Sequence, residues 1–155
     1  MIIRRAVKED LAGLNELLAQ VLYVHHVDRP DIFKAVGKKY TDEELIAIIE
    51  DQSTPVFVAT EDGKVLAHCF CVINEACGHS SLVDNKTLYI DDLCVLADSR
   101  GSGVGRALYE YTLEFARSIG CYNVTLNVWA KNESAMKFYE AMGLTVQKIG
   151  MEKIL

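Results

Sequence analysis

The sequence has few of the features that mark non-globular chains. Only two of its 155 residues are proline, and 50% are hydrophobic while 25% are charged. This composition excludes a disordered chain, a collagen-like chain and a low-complexity linker. No stretch approaches the roughly 18 consecutive apolar residues that a membrane span needs. The charged start over residues 1–10 lacks the apolar run of a signal peptide. We therefore expect a cytoplasmic protein without a membrane partner.

Positive charge is also scarce. Sixteen lysines and arginines stand against twenty-two aspartates and glutamates, and the formal net charge is −6. A basic surface for nucleic acid is therefore not expected. An acidic chain is somewhat better suited to cationic small molecules, although net charge alone identifies no substrate.

The five cysteines are an odd number in a chain expected to be intracellular, which favours buried free thiols over disulfides. Two segments invite a zinc interpretation, His68-Cys69-Phe70-Cys71 and Cys77-Gly78-His79. In a strand, however, Cys69 and Cys71 face one side and His68 the other, and C-x-C is not the spacing of zinc sites. We expect no metal.

The length predicts one domain over residues 1–155. Apolar residues at helical spacing predict helices over 8–24, 104–119 and 133–142, and Thr41 with Glu44 predicts a capping box for a short helix to Asp51. Strands are predicted over 2–6, 55–60, 64–73, 87–96, 124–129 and 144–154, with irregular segments over 25–40 and 74–86. This order indicates an α/β fold, a mixed sheet with helices on its faces.

A glycine-rich segment, Arg100-Gly101-Ser102-Gly103-Val104-Gly105-Arg106, joins a predicted strand to a predicted helix. Glycines allow close approach to the backbone, and a helix start offers free N–H groups and a positive dipole end. The spacing matches neither the dinucleotide-binding fingerprint nor the P-loop. By itself the segment is either a plain tight turn or a cradle for a phosphate.

In this context the sequence resembles the GNAT superfamily of acyl-CoA-dependent N-acetyltransferases. The family's motif Gln/Arg-x-x-Gly-x-Gly/Ala, which follows a strand, is matched by Arg100, Gly103 and Gly105. Its downstream pattern N-x-x-A-x-x-F-Y-E-x-x-G is matched from Asn132 to Gly143. The resemblance is specific over residues 87–144. It implies a GNAT fold, with a mixed, mostly antiparallel sheet flanked by helices on both faces, and acetyl-CoA as cosubstrate.

The resemblance also implies cofactor contacts. The strand before the loop would pair with the pantetheine arm, and the loop would hold the pyrophosphate. The implied residues are Leu93, Cys94, Val95, Arg100, Gly101, Ser102, Gly103, Val104, Gly105, Arg106, Asn132, Lys137 and Tyr139. From the residues alone Asn132 is a helix N-cap, and Lys137 is either a solvated cation or a phosphate ligand.

Acetyl transfer from a thioester to an amine needs a neutral amine, a stabilised oxyanion and a proton for the departing thiolate. Tyr139 is the candidate general acid, because a phenol is protonated at neutral pH. The alternative is an aromatic ring packed beside Phe138. The pair Asp91-Asp92 resembles the Glu-Asp found at the matching place in polyamine-type members, and both aspartates are implied to bind the acceptor, with Asp91 preferred as the base. Asp91 would accept the amine proton through a water or attract a cationic acceptor, with Asp92 or a water chain as the alternative base. Either aspartate could also be a plain polar residue at a strand end.

By the resemblance, His25 and His26 border the acceptor site, where they either shape specificity or are ordinary polar loop residues. The expected reaction transfers an acetyl group to a primary amine of a small molecule, polyamine-like or other, by direct attack in a ternary complex. A peptide N-terminal or lysine acetyltransferase is the alternative enzyme. A non-catalytic CoA-binding sensor or interaction module is the alternative of another class. A homodimer is expected from the family alone.

Overall fold

A five-stranded sheet forms the centre of the molecule. The computed structural model describes residues 1–155, and its strands are β1 (Ile2–Arg5), β2 (Val56–Glu61), β3 (Lys64–Ala76), β4 (Asn85–Val95) and β5 (Asn123–Leu126). The strands lie in chain order across the sheet. All neighbouring pairs are antiparallel except β4 and β5, which are parallel. The predicted mixed, mostly antiparallel sheet is therefore confirmed.

Four helices cover the two faces of the sheet: α1 (Leu11–Asp28), α2 (Asp42–Glu50), α3 (Val104–Ser118) and α4 (Glu133–Ala141). Leu14 of α1 and Leu45 of α2 pack against Phe70 on one face. Leu108 of α3 and Phe138 of α4 pack on the other. Both faces of the central strands are thus buried, which explains why β2 is a continuous apolar run rather than an alternating one. No helix combines the length and the apolar content needed to cross a bilayer.

Short sequence motifs predicted some of the ends of helices and strands correctly. The capping box before α2 is present, because Glu44 N–H donates to Thr41 Oγ1 at 3.2 Å and Thr41 N–H donates to Glu44 Oε2 at 2.8 Å. Other boundaries differ from the prediction. α1 continues to Asp28, so His25 and His26 lie on its last turn and not in a loop. The β3–β4 ladder also extends further, to the pair Ala76 and Asn85, so the polar loop is shorter than 74–86.

The predicted last strand over 144–154 is wrong, since no regular element follows α4. Its alternating apolar residues are largely exposed, with Val146 at 68%, Ile149 at 80% and Met151 at 94%. A strand forms only where a neighbour satisfies its backbone groups, and here the last sheet strand, β5, pairs with β4 alone. The predicted strand over 124–129 likewise ends early, at Leu126.

Candidate active site

β4 and β5 separate beyond their four paired residues, and we call the gap between them the cleft. The two parallel strands pair only from Thr87 to Ile90 of β4, and β5 ends at Leu126. β4 continues to Val95 with β3 as its only neighbour. Backbone groups on the open side of β4 are therefore available to a ligand. The cleft lies beyond the carboxyl ends of the parallel pair, where open sheets commonly bind ligands.

A β-bulge lies at Asp91, at the start of this open stretch. Ile90 and Asp92 pair with consecutive residues of β3, so Asp91 has no partner in the ladder. The extra residue reverses the alternation of side chains. Ile90 therefore packs in the core beneath α3, whereas Cys94 packs in the core beneath α1. The bulge leaves Asp91 outward-facing and turns Asp92 toward α1.

The glycine loop closes one end of the cleft. The backbone φ is +76° at Gly101 and +89° at Gly103, in the left-handed region that favours glycine. α3 begins without a side-chain cap, and its first helical hydrogen bond runs from Ala107 N–H to Gly103 C=O at 3.0 Å. The N–H groups of residues 104–106 therefore have no helical partner. Together with the helix dipole they favour an anion at this position.

Close packing holds the loop against β4. A Cβ added at Gly105 would meet Val95 Cγ2 at 3.1 Å, so a larger residue here would require the Val95 side chain to shift by a few tenths of an ångström. Arg100 Nε donates to the Val95 carbonyl at 3.3 Å, and Gln20 Nε2 of α1 donates to the same oxygen at 2.9 Å. Arg100 thus anchors the loop to the strand. The Val95 carbonyl accepts hydrogen bonds from α1 and from the loop, whereas the Val95 N–H donates to no side chain, and the predicted pairing of this strand with a cofactor arm stays a prediction.

Tyr139 lies on α4, close enough to Asp92 for that carboxylate to affect its pKa. The helix is capped by Asn132, whose Oδ1 accepts from Ala135 N–H at 3.1 Å. The Tyr139 ring is half-buried, with centroids 5.2 Å from Phe138 and 6.4 Å from Tyr109. Burial raises the pKa of the Tyr139 phenol above its ordinary value, and nearby negative groups raise it further. The hydroxyl is therefore protonated at neutral pH.

Lys137 projects from the exposed side of α4. Its Nζ lies 3.9 Å from a carboxylate oxygen of Glu133, one turn earlier, and its side chain is 78% exposed. This exposure is compatible with both alternatives that the sequence left open, a solvated helix cation and a phosphate ligand.

The two aspartates at the bulge have different surroundings. Asp91 accepts a hydrogen bond from Lys39 Nζ at 2.9 Å, and its side chain is 35% exposed. Asp92 is buried, with Oδ2 3.5 Å from Nε2 of His68. Burial alone would raise the pKa of Asp92, but His68, Lys39 and His25 together outweigh it and lower the pKa below its ordinary value. The Asp92 carboxylate is therefore available as an anion at neutral pH.

The two predicted histidines act differently in the structure. The His25 ring packs against Phe33 with centroids 5.0 Å apart, and His25 is one of the groups that lower the pKa of Asp92. The Nδ1 atom of His26 is 2.7 Å from the Phe33 carbonyl oxygen, a hydrogen bond that holds the chain after α1. Trp129 packs edge-on against Phe33 at 5.5 Å. His25 therefore belongs to the wall of the cleft near the aspartates, and His26 holds Phe33 of that wall in place.

Sequence reasoning missed several residues around the cleft: Phe33, Lys39 and Trp129, which belong to its wall, and His68, which lies beneath it. They are far apart in the chain and come together only through tertiary packing. His68 stood out only as a zinc ligand, an interpretation rejected because of its spacing. The aromatic character of Phe33 and Trp129 within polar segments was the one available signal.

The cysteines are free, and Cys69, Cys71 and Cys94 are buried as predicted, whereas Cys121 is half-buried and Cys77 is exposed. Cys69 and Cys71 share one face of β3, with their sulfur atoms 3.6 Å apart. No group of three or more His, Cys, Asp or Glu residues is placed to hold a metal ion. Burial raises the pKa of the Cys94 thiol to about 12, so this thiol is protonated at neutral pH.

Comparison with known proteins agrees with this geometry. A family model described as the acetyltransferase (GNAT) family matches residues 21–144. A glucosamine 6-phosphate N-acetyltransferase from Arabidopsis thaliana is 28% identical over 144 residues, covering 91% of this chain and 87% of that protein. The match includes the bulge, the glycine loop and α4.

Solved structures share the whole architecture. A mutant of the BH1408 protein from Bacillus halodurans has a TM-score of 0.95 and 29% identity, covering 100% of this chain and 99% of that one. The glucosamine 6-phosphate N-acetyltransferase structure from A. thaliana has a TM-score of 0.72 and 26% identity, covering 99% of this chain and 97% of that one. The sheet and both helical layers are therefore common to all three.

Proposed function

The chain belongs to the acetyltransferase (GNAT) family and is an acyl-CoA-dependent N-acetyltransferase, and on this premise we propose that its acceptor is a primary amine of a small molecule. One observation supports the proposal most strongly. The open stretch of β4 has an anion-binding helix start at one end and two carboxylates at the other, with a protonated tyrosine nearby.

The cofactor residues fit acetyl-CoA, which supplies an acetyl group activated as a thioester. The free N–H groups of residues 104–106 are suited to a pyrophosphate, and Arg106 adds a positive charge in the same turn. On the open edge of β4, Leu93 and the N–H of Val95 are left to pair with the pantetheine arm. Asn132 uses Oδ1 for its cap, so its Nδ2 is free to donate to that arm.

The acceptor is proposed from the ion pair at the bulge. Asp91 already binds a primary ammonium, that of Lys39, at 2.9 Å. This ion pair outweighs burial and raises the pKa of Lys39, so the lysine itself is held as an unreactive cation. We propose that the ammonium of the acceptor exchanges with Lys39 at Asp91. The A. thaliana relative, which is named for an amino sugar, supports a small amine-bearing acceptor.

In the proposed reaction a bulge carboxylate accepts a proton and Tyr139 donates one. The bound ammonium loses a proton to a carboxylate at the bulge, directly or through a water, and becomes a nucleophile. As the C–S bond breaks, Tyr139 Oη donates its proton to the sulfur. The nitrogen loses a second proton when the amide forms, which restores the phenol. The net products are the N-acetylated amine, free CoA and one proton released to solvent.

Replacing Asp91 with asparagine is expected to lower kcat/KM by up to about fivefold, mainly through KM, because an exposed ion pair contributes up to about 1 kcal/mol. The loss should be largest at low pH, where more of the acceptor is protonated and depends on the carboxylate. Steady-state kinetics across pH measure this. Asp42→Asn is the matched control, since Asp42 pairs with Lys38 at 2.8 Å at the start of α2. Equal losses in the two variants would reduce Asp91 to a surface residue.

Replacing Cys94 with alanine is expected to change kcat by less than about threefold, because a protonated thiol is a poor nucleophile and direct attack does not use it. Stability should fall by about 1 kcal/mol from the lost packing. Mass spectrometry of acid-quenched wild-type enzyme should show no acetylated protein during turnover. An acetyl group on Cys94, together with an inactive alanine variant, would establish a covalent route instead.

A turnover screen distinguishes the remaining alternatives. CoA release from acetyl-CoA is measured with polyamines, amino acids, amino sugars including glucosamine 6-phosphate, aminoglycosides and peptides. We expect turnover with one class of small amine. Turnover restricted to peptides would favour the protein acetyltransferase. Tight binding of acetyl-CoA without turnover on any amine would favour the sensor.

A further inference from the structure

β3 buries a histidine whose polar atoms lack hydrogen-bond partners. His68 is 0% exposed, and neither of its ring nitrogens makes a hydrogen bond. Its Nε2 lies 3.5 Å from Oδ2 of Asp92, which is also buried and unpaired. Native proteins satisfy most buried polar groups, because leaving them unpaired destabilises the fold. An unsatisfied pair beside the reacting centre therefore calls for a functional explanation.

The position of Asp92 connects this histidine to the cleft. Asp92 follows the bulge directly, keeps 9% of its surface exposed, and only its Oδ2 is among the buried unpaired atoms. Phe70 covers the His68 ring on the side of the protein core. Its ring is edge-on to His68, with centroids 4.9 Å apart, and stacked on Tyr40, with centroids 6.2 Å apart. Oδ2 of Asp92 thus faces the buried His68 ring, whereas Oδ1 is the oxygen on the solvent-accessible side of the carboxylate.

We propose that His68 is a positioning residue, which directs its Nε2–H at Oδ2 and so keeps Asp92 ready to take the proton of the acceptor ammonium on Oδ1. The inference rests on the proposed function and names the base that the proposed function left open. Asp91 then binds the ammonium, and Asp92 receives its proton, directly or through one water.

Several titratable groups face Asp92 besides His68. Lys39 approaches from the segment before α2 and His25 from α1, and the two lower its pKa together with His68. Tyr139 of α4 and Cys94 of β4 respond to the Asp92 charge, which raises the pKa of each. Burial raises the pKa of Asp92 and His68 lowers it, so removing the His68 ring removes part of what counteracts burial. The pKa of Asp92 should then rise, and the carboxylate should be protonated at a higher pH.

His68→Gln and His68→Asn, two substitutions of similar size, distinguish a role of His68 as hydrogen-bond donor to Asp92 from a role in packing alone. In His68→Gln the side-chain amide nitrogen can occupy the position of Nε2, whereas in His68→Asn it occupies the position of Nδ1. We expect the acid limb of the kcat/KM pH profile to move up by about one pH unit or more in His68→Asn. In His68→Gln it should stay close to the wild-type position. Affinity for acetyl-CoA should be unchanged in both.

Two results would overturn the proposal. One is an acid limb at the wild-type position in folded His68→Asn. The other is an equal loss of kcat/KM in the two variants that does not depend on pH.

A readout without substrate keeps this test separate from the proposed function. Carbon-13 NMR follows the Asp92 carboxyl, assigned by its absence in Asp92→Asn, and should titrate at higher pH in His68→Asn than in the wild type. If the wild type acetylates no amine, the proposed function fails while this titration still decides the His68–Asp92 coupling. If neither variant folds, nitrogen-15 NMR of the wild-type imidazole decides. A proton on Nε2 is expected, and a neutral ring protonated on Nδ1 alone would overturn the proposal.

Discussion

Replacing Tyr139 with phenylalanine is expected to slow acetyl transfer by about 10²-fold or more, the usual scale of general acid catalysis. The ring contacts with Phe138 and Tyr109 survive the change, so the fold should remain intact. The loss should appear in kcat, with little change in acetyl-CoA affinity, because the proton is needed only as the C–S bond breaks. The raised pKa of Tyr139 keeps the proton on the phenol until then.

Tyr111→Phe is the matched control for this measurement. Tyr111 lies on α3 and packs its ring at 5.3 Å from Phe57 of β2, a strand that β3 separates from β4 and its bulge. Its loss of a hydroxyl should leave kcat unchanged. A Tyr139→Phe enzyme that retains full kcat on a good acceptor would mean that the thiolate leaves unaided or takes its proton elsewhere. A variant that instead loses stability would support a packing role for Tyr139.

Replacing Gly103 with valine is expected to weaken acetyl-CoA binding by about tenfold or more, equivalent to at least about 1.4 kcal/mol. A valine strongly disfavours φ of +89°, so the loop should shift and turn the free N–H groups of residues 104–106 away from the pyrophosphate. Calorimetric titration with acetyl-CoA measures the affinity, and thermal unfolding measures the accompanying loss of stability.

Gly120→Val supplies the matched control at the other end of α3. Its φ is +76°, and like Gly103 it has nothing within 4 Å of an added Cβ. Both variants should therefore lose about 1–2 kcal/mol of stability from backbone strain alone. Only Gly103→Val should lose affinity for acetyl-CoA. Equal affinity in the two folded variants would remove the loop from the pyrophosphate site.

Much of the fold was predictable because it depends on local signals. Thr41 and Glu44 specify the start of α2 through their own hydrogen bonds, and apolar periodicity specifies α3. The left-handed glycines of the loop follow from glycine's conformational freedom. The last strand was not predictable in this way, because alternation at Val146 and Ile149 says nothing about whether a partner strand is present.

The site was predictable only in part. The sequence singled out Tyr139 and the two aspartates through a family resemblance, and no periodicity would have brought them together. The bulge at Asp91 depends on its register with β3, and that register decides which aspartate is buried. The contacts of Lys39 with Asp91 and of His68 with Asp92 join residues distant in the chain. Such pairs follow from the packing of the whole domain.

The most direct measurement is the stoichiometry of a single turnover. Enzyme loaded with isotope-labelled acetyl-CoA is mixed with the best amine from the screen and quenched at short times, and mass spectrometry follows the label. We predict one labelled N-acetyl group on the amine for each CoA released, with no label on the protein at any time. Label on the protein before it appears in the product, or bound acetyl-CoA that transfers to no amine, would contradict direct acetyl transfer.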